Sequence, residues 1–464
     1  MAQGEKIKIP RHIMPMQVPN VRAKNWEEVN IGFDKDMAME EAKRCLSCKK
    51  PFCINGCPVR VNIPAFLKLV EEGNFLDAAI KIKENNKLPA ICGRVCPQEK
   101  QCEKLCVLGK KGQPVAIGYL ERFAADCLRD NGKEDMRPQV KSSGKRVAVI
   151  GSGPAGLTAA GDLAMTGHDV VIFEALHKPG GVLVYGIPDF RLPKEIVEYE
   201  INLLKYLGVE IVTNHIIGKV ETVEELLERF DVVFLGTGAG LPYFLNIEGE
   251  NLNGIYSANE FLTRIILMKA RDFPNYSTPV KMGKNVSVIG CGNTAIDAAR
   301  TALRIGAENV NIIYRRTKTE SPAREEEVLH AEEEGVEFHF LTNPVRFIGD
   351  ENGWLKAVEC VKMELGEPDQ SGRRRPIPIK GTEFIFETET AIIATGFGIN
   401  PIVISSITGL EIEKGGVVKV NESGETNKER IFAGGDIITG GSTVISAMGQ
   451  GRTAALSINE FLRD

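Results

Sequence analysis

Residues 146–174 read RVAVIGSGPAGLTAAGDLAMTGHDVVIFE. A β-branched run enters a glycine-rich turn, a small-residue helix follows, and a second β-branched run ends on an acid. This is the strand–turn–helix–strand unit of a doubly wound parallel sheet. The turn is Gly151-Ser-Gly153-Pro154-Ala155-Gly156. It has glycine where the chain must bend tightly, where backbone must approach a pyrophosphate, and where helix and sheet pack closely. The helix start offers unpaired N–H groups and a positive dipole end to phosphate. Glu174 follows about twenty residues on, where a carboxylate can accept bonds from ribose hydroxyls. Strand, turn, helix and acid agree on a dinucleotide site.

The same rhythm continues through VEIVTN and DVVFLGTG and then restarts in KNVSVIGCGNTAIDAARTALRIGAENVNIIYRR. The second turn is Gly290-Cys-Gly292-Asn293-Thr294-Ala295, with an alanine that the fingerprint tolerates at its third position. No acid ends the next strand; Arg315 and Arg316 stand there instead. Arginine at that place suits a 2′-phosphate, so this site is expected to take NADP(H). TAIIATGFGINP resembles DVVFLGTGAGLP, which makes the two units an internal duplication. The tail, ERIFAGGDIITGGSTVISAMGQGRTAALSINEFL, adds a further strand, a Gly-rich loop and a closing helix. Gly435 and Asp436 in it can place one carboxylate on a polyol such as ribitol, with backbone donors beyond, which points the first site to FAD. The tail returns to the first unit. The expected organisation is an FAD domain of residues 144–265 and 386–464, with an NADP(H) domain of residues 266–385 inserted in it.

Ahead of both lies a stretch of different character, residues 1–143. It contains helix-like segments such as IPAFLKLVEEGNFLDAAIKIKE, Cys-Pro turns and no convincing strand, and a polar linker, RDNGKEDMRPQVKSSGK, ends it. Eight of the 11 cysteines fall within residues 45–106. They are spaced Cys45-x2-Cys48-x4-Cys53-x3-Cys57-Pro and Cys92-x3-Cys96-Pro, then Cys102-x3-Cys106. Thiolates hold iron–sulfur clusters, and a proline after the last cysteine is ferredoxin-like. In two-cluster ferredoxins the fourth cysteine of a run reaches the other cluster. By that logic Cys45, Cys48 and Cys53 share a cluster with a distant Cys106, and Cys57 goes to the other. Two four-thiolate zinc sites would also use eight cysteines. Cys127, Cys291 and Cys360 are scattered and read as ordinary buried residues; with no CxxC pair near a nicotinamide, a disulfide reductase is not expected.

The bulk properties set the surroundings. A net charge of −5 gives no reason to expect nucleic acid or an anionic membrane as partner. No apolar run has transmembrane length and the start lacks a signal-peptide core, so a cytoplasmic setting is expected. There, clustered cysteines read as metal ligands rather than disulfides. The run Arg373-Arg374-Arg375 reads as a solvated loop rather than a partner patch.

Taken in order, CxxCxxxxCxxxCP, CGRVCP, GSGPAGL, GGVLVYGIPDFRLPK, GCGNTAIDAAR, YRR and FAGGD resemble the glutamate synthase small-subunit (beta) family. The N-terminal half of dihydropyrimidine dehydrogenase is similar. Within the family the opening, with KRCLSCKKPFC and VAIGYLERF, most resembles the large subunit of NADH-dependent reduced ferredoxin:NADP oxidoreductase, a protein often labelled NADPH-dependent glutamate synthase. The resemblance implies FAD, NADP(H) and two 4Fe-4S clusters. Carried over residue by residue, it gives one cluster Cys45, Cys48, Cys53 and Cys106, and the other Cys57, Cys96 and Cys102. It fills the last position from the helix GYLERF with Glu121, against the rival Cys92. It also places Gly181, Leu183, Arg191, Thr237, Thr443 and Val444 at the flavin and nicotinamide, and Arg324 with Arg315 and Arg316 at NADP(H).

Hydride transfer between nicotinamide and flavin needs no protein acid or base, so no catalytic side chain is expected. The sequence holds no second flavin site and no ammonia-handling module. The chain therefore reads as the NADPH side of a two-part machine. One expected partner set is a smaller NAD-binding flavoprotein subunit and ferredoxin, in an electron-bifurcating enzyme. Another is a glutamate synthase large subunit. A third possibility is an assembly subunit with vestigial cofactors.

Overall fold

The computed structural model describes residues 9–131, 140–369 and 372–463; the centre of the expected linker, residues 132–139, lies outside them. Among the described residues, 9–131 form helices and turns with no strand. The helices are α1 (Lys35–Lys43), α2 (Ile63–Glu71), α3 (Phe75–Lys83), α4 (Pro89–Val95) and α5 (Ile117–Asn131). Helix α2 shows why they form: Pro64 sits in its first turn, and Ile63, Phe66, Leu67 and Val70 bury one face at helical spacing.

Two five-stranded parallel sheets follow. In chain order their strands are β1 (Arg146–Ile150), β2 (Asp169–Phe173), β3 (Glu210–Val212), β4 (Val232–Leu235), β5 (Ile255–Ser257), β6 (Asn285–Ile289), β7 (Asn309–Tyr314), β8 (Glu337–Phe340), β9 (Thr390–Ile393) and β10 (Ile431–Ala433). The first sheet runs β10-β4-β1-β2-β3 and the second β5-β9-β6-β7-β8. Position for position these are one topology, as the duplication requires. In β1, Val147 pairs with Val170 and Val232; in β6, Val286 pairs with Val310 and Thr390. Near-continuous Val/Ile runs suit strands covered on both faces.

The sheets correct the expected boundaries of 266 and 385. Strands β5 and β9 lie outside that span, as does the helix α8 (Ala258–Ile266) up to its last residue, yet both strands pair in the second sheet. Each sheet takes its edge strand from across the domain exchange: β10 closes the first from the tail, and β5 closes the second from upstream. An antiparallel pair, Leu241–Pro242 with Phe397–Gly398, joins the two crossing connections. Between β8 and β9 stands an antiparallel sheet built on the long strand Leu355–Pro368.

The remaining helices carry the sites: α6 (Pro154–Ala164), α7 (Lys194–Tyr206), α9 (Asn293–Arg304), α10 (Glu325–Glu333) and α11 (Val444–Phe461). Helix α11 packs directly on α6, because a Cβ on Gly451 would stand 2.3 Å from the Ala155 carbonyl oxygen. The cysteine-bearing domain sits on this pair. Lys83 reaches Glu200 at 2.7 Å, Lys87 reaches Asp162 at 3.1 Å, and all four side chains are largely buried.

A second seam joins all three parts. Glu334, fully buried, accepts hydrogen bonds from Arg22 of the N-terminal segment and from Arg300 and Arg304 of α9, at 2.6–3.1 Å. Arg300 also pairs with Glu327. The guanidinium groups of Arg300 and Arg304 lie over the ring of Phe190, from the first nucleotide domain.

Candidate functional sites: two cysteine sets and two glycine loops

The eight clustered cysteines separate into two sets. Cys45, Cys48, Cys53 and Cys106 line one cavity with Phe52 and Leu105. Helices position them: Cys45 follows α1 and Cys53 sits in the single turn Phe52–Asn55. The Cys53 thiol is pushed up to about 12, first by burial and then by Cys45, Cys106 and Cys48. Mutual repulsion among the four means that thiolates can coexist there only with a cation between them.

The second set comprises Cys57, Cys96 and Cys102, with Glu121 facing all three. Burial pushes Cys57 up to about 12, with Glu121 the next cause and Cys92 a later one. Cys96 is raised first by its bond with Cys92 and by burial, then by Glu121 and Cys102. Cys102 is raised by burial, then by Glu103, Cys57 and Glu121. Glu121 projects from α5; burial raises it to about 7, against a hydrogen bond from Asn86 Nδ2 to its Oε1 at 2.7 Å. Cys92 also belongs to this neighbourhood, with its Sγ 3.7 Å from Asn86 Oδ1 and 3.4 Å from Met448 Sδ.

The donor set suits clusters. No group of three or more His, Cys, Asp or Glu among the described residues converges enough to hold a single metal ion. Zinc needs its four ligands within about 2.3 Å of one point. A set dominated by cysteine thiols is the donor chemistry that holds polynuclear iron–sulfur clusters.

The first glycine loop has the shape its sequence predicts. Gly151 has φ +98°, and a Cβ there would meet the Gly236 carbonyl oxygen at 2.6 Å. A Cβ on Gly156 would stand 2.0 Å from Gly151 O, so α6 touches the strand end. Around Gly153 the same position is open, the space a pyrophosphate would take. Helix α6 begins at Gly153 without a side-chain cap, so its first N–H groups still want an acceptor. The Thr237 hydroxyl is buried with no protein partner, a second group waiting for a ligand. Glu174 is buried and holds the loop itself: it accepts from Ser152 N at 3.0 Å, from the Ser152 hydroxyl, and from Leu176 N at 2.9 Å. Gly181 closes over Gly153, with its Cβ position 2.9 Å from Gly153 Cα, and Leu183 lies buried just beyond. Asp436 is raised to about 6 by burial, opposed by the Ser442 N–H. Tyr185 is raised to about 12 by burial and then by the charges of Glu174 and Asp436. Thr443 caps α11, accepting from Ser446 N at 3.2 Å, and Val444 begins the helix.

The second loop repeats the first. A Cβ on Gly290 would meet Ala394 O at 2.4 Å, and α9 starts after Gly292 without a side-chain cap, with Asn293 and Thr294 in its first turn. Asn293 Oδ1 accepts from Arg324 N at 2.9 Å, which ties the loop to the segment before α10.

Three arginines expected at cofactors have protein partners as well. Arg316 is buried, paired with Asp369 at 2.7 Å and donating to Arg374 O, so it braces the antiparallel sheet. Arg324 donates to Arg94 O at 2.6 Å and pairs with Glu326. Arg191 pairs with Asp297 at 2.5 Å. The last two are charges of the seam between domains, where burial demands a partner. Arg315 remains exposed at the end of β7, and its pKa is lowered by burial and then by Arg316 and, further, Arg373. Arg373, from the run read as a solvated loop, is close enough to Arg315 to contribute to that lowering. Cys291 and Cys360 are buried in separate cores.

Helix α11 connects the two kinds of site. Its Gly449 packs on Pro58, directly after Cys57, with the Cβ position 3.0 Å from Pro58 O. Met448 touches Cys92 and Gly451 touches the first glycine loop.

Comparison with known proteins agrees with this division. Residues 22–133 match the family of dihydropyrimidine dehydrogenase domain II, 4Fe-4S cluster, and residues 145–451 match the pyridine nucleotide-disulphide oxidoreductase family. The glutamate synthase [NADPH] small chain of Halomonas elongata is 38% identical over 95% of this chain and 94% of its own. That of Escherichia coli is 37% identical over 97% and 96%. The NADP(+)-dependent formate dehydrogenase subunit beta of Moorella thermoacetica is 39% identical, over 89% of this chain and 61% of that one. Mycobacterium tuberculosis FprA, solved in complex with NADPH, shares the fold of 69% of this chain and 84% of its own, with a TM-score of 0.58 at 20% identity. No helix among the described residues is long and apolar enough to cross a membrane. The chain belongs to the pyridine nucleotide-disulphide oxidoreductase family, alongside the glutamate synthase small chains, and is a 4Fe-4S flavoprotein oxidoreductase that uses FAD and NADP(H).

Proposed function

We propose that the chain is the NADP(H)-side electron-transfer subunit of a larger cytoplasmic enzyme, with two 4Fe-4S clusters. Cys45, Cys48, Cys53 and Cys106 hold one; Cys57, Cys96, Cys102 and Glu121 hold the other. Bound flavin exchanges hydride with nicotinamide and single electrons with clusters. The chain's own residues bind and orient. The loop at Gly151–Gly156 and the Thr237 hydroxyl receive FAD, the loop at Gly290–Ala295 receives NADP(H), and Arg315 with Arg373 receives the 2′-phosphate. No side chain is assigned a proton-transfer role.

The observation that carries this reading is helix α11, which touches the first glycine loop through Gly451 and the second cysteine set through Gly449 and Met448. One rigid element thus fixes the spacing between flavin and cluster. The partner we propose is a smaller NAD-binding flavoprotein subunit acting with ferredoxin, in an electron-bifurcating ferredoxin:NADP oxidoreductase; the sequence of the N-terminal motifs supports it. A glutamate synthase large subunit is the second reading, supported by small chains of that enzyme matching over 94–96% of their length. Anaerobic purification followed by iron, sulfide and flavin analysis tests the cofactors. The expected result is two clusters' worth of iron and sulfide, one FAD, and NADPH-driven bleaching of the visible spectrum. A colourless, zinc-rich protein would overturn the assignment. The co-purifying subunit distinguishes the two partner readings.

A further inference from the structure

Two side chains compete for the last position of the second cysteine set, and one buried amide touches both. Asn86 has no exposed surface and lies in the short connection between α3 and α4. Its main-chain N–H donates to Ile82 O at 2.9 Å, which anchors the connection to the end of α3. Its side-chain oxygen accepts from Leu88 N at 2.9 Å, an Asx turn that leads into the Pro89 start of α4. A main-chain N–H can only donate, so this bond fixes which way the amide points. Nδ2 must then face Glu121, and it donates to Glu121 Oε1 at 2.7 Å. The oxygen that takes the Leu88 N–H also lies 3.7 Å from Cys92 Sγ, within reach of a weak S–H donor.

The two contacts have opposite consequences. A carboxylate has two oxygens, so an N–H donor can hold one while the other is given to a metal. A carbonyl oxygen suits a thiol that keeps its proton, and it repels the thiolate that an iron ligand must become. Met448 Sδ, 3.4 Å from Cys92 Sγ, carries no charge to offset that repulsion. Resting on the ligand set proposed above, we infer that Asn86 is the positioning residue that selects Glu121 over Cys92 as the fourth ligand of the second cluster. It acts through the carboxylate it holds and the thiol it occupies. Outer-shell hydrogen bonds of this kind orient metal ligands and tune the centre they bind.

The test separates the polarity of these bonds from the turn that Asn86 also makes. Asn86→Asp keeps an acceptor for the Leu88 N–H, but it removes the N–H donor and sets a second carboxylate against Glu121. In the anaerobically purified holoprotein, N86D should lose the wild-type EPR signal of one reduced cluster, while the other signal and the FAD content stay unchanged. N86D/E121Q should regain iron, sulfide and a signal for that cluster, because the glutamine amide can donate to the new carboxylate and still offer iron its oxygen. Wild-type signals in N86D would overturn the proposal. So would an N86D/E121Q protein that regains nothing, since a residue needed only for the turn predicts no rescue. A cluster that survives in N86D with an altered signal should disappear in N86D/C92A, its ligand having passed to Cys92; persistence there would overturn the selection. Should N86D yield no flavin-loaded protein, N86S decides: its hydroxyl can still take the Leu88 N–H but gives Glu121 no amide donor. An altered or missing signal in N86S supports the proposal, and wild-type signals refute it. E121A checks the underlying ligand set. Both clusters intact in E121A would refute that set, whereas one cluster lost in E121A but kept unaltered in N86D would refute only the role of Asn86.

Discussion

Replacing Glu334 by glutamine should loosen the seam between the three domains while leaving the first sheet untouched. The carboxylate has no exposed surface and accepts four hydrogen bonds from three arginines. Burial pushes its pKa up, but the bonds from Arg300 and Arg304 outweigh this and hold it at about 2 instead of 4.5. That difference corresponds to roughly 3 kcal/mol. An independent bound agrees: removing one partner of a buried ion pair costs about 3–5 kcal/mol, because the opposite charge is left uncompensated. Glutamine keeps the shape but offers one acceptor and turns an amide N–H toward guanidinium. Hydrogen exchange read by mass spectrometry gives the local stability directly. Peptides covering residues 19–31, α9 and α10 should exchange about a hundredfold faster in E334Q, the equivalent of roughly 3 kcal/mol. Peptides of β1 and β2 should not change. The pH dependence has a fixed sign. A carboxyl with a depressed pKa stabilises fully above about 4.5 and stops doing so as pH falls through about 2. Acid unfolding of E334Q, followed by the fluorescence of Trp26 at the seam, should therefore begin at higher pH than in the wild type. Exchange in α9 and α10 accelerated less than about fivefold (about 1 kcal/mol) would refute the reasoning.

Three further outcomes follow from the sites. Gly156→Ala places a methyl 2.0 Å from Gly151 O, which neither backbone can vacate, so the purified protein should lose its flavin absorbance while retaining iron and sulfide. Glu121→Ala should remove or alter one cluster, seen as lost iron and a changed EPR spectrum, whereas Cys92→Ala should keep both; the reverse pattern would hand the ligand position to Cys92. Arg315→Ser and Arg373→Ser should each raise KM for NADPH about tenfold or more with little change for NADH, from loss of a charge-assisted phosphate contact. Arg316→Ser should instead lower stability, because it removes the ion pair with Asp369 at 2.7 Å and the bond to Arg374 O.

Much of this was legible in the chain. The glycine loops and the duplicated nucleotide-binding unit follow from local spacing, because a tight turn is built from neighbours; Cys106 joins Cys45, Cys48 and Cys53 at one cavity from far along the chain, as the ferredoxin crossing pattern suggests. What spacing could not reveal depends on partners far apart. Arg22 meets Glu334 across 312 positions, and no periodicity marks either residue. The same holds for Arg191 and Asp297, whose buried pairing no local motif announces. The domain boundaries were misplaced for a related reason. Strands β5 and β9 carry short apolar runs that fit either sheet equally well, and only the pairing of Ala391 with Ile255 and Ser287 assigns them.

Helix α11 leaves the ribosome long after the cysteine-bearing segment, yet it borders that segment and the first glycine loop alike. The second cysteine set lacks one wall until residues 444–461 have been translated and folded back against Pro58 and Ala155. Maturation of that set is therefore tied to the arrival of a distant helix. A chain cut before Val444 would present iron-binding thiols without the wall that Met448 and Gly449 supply.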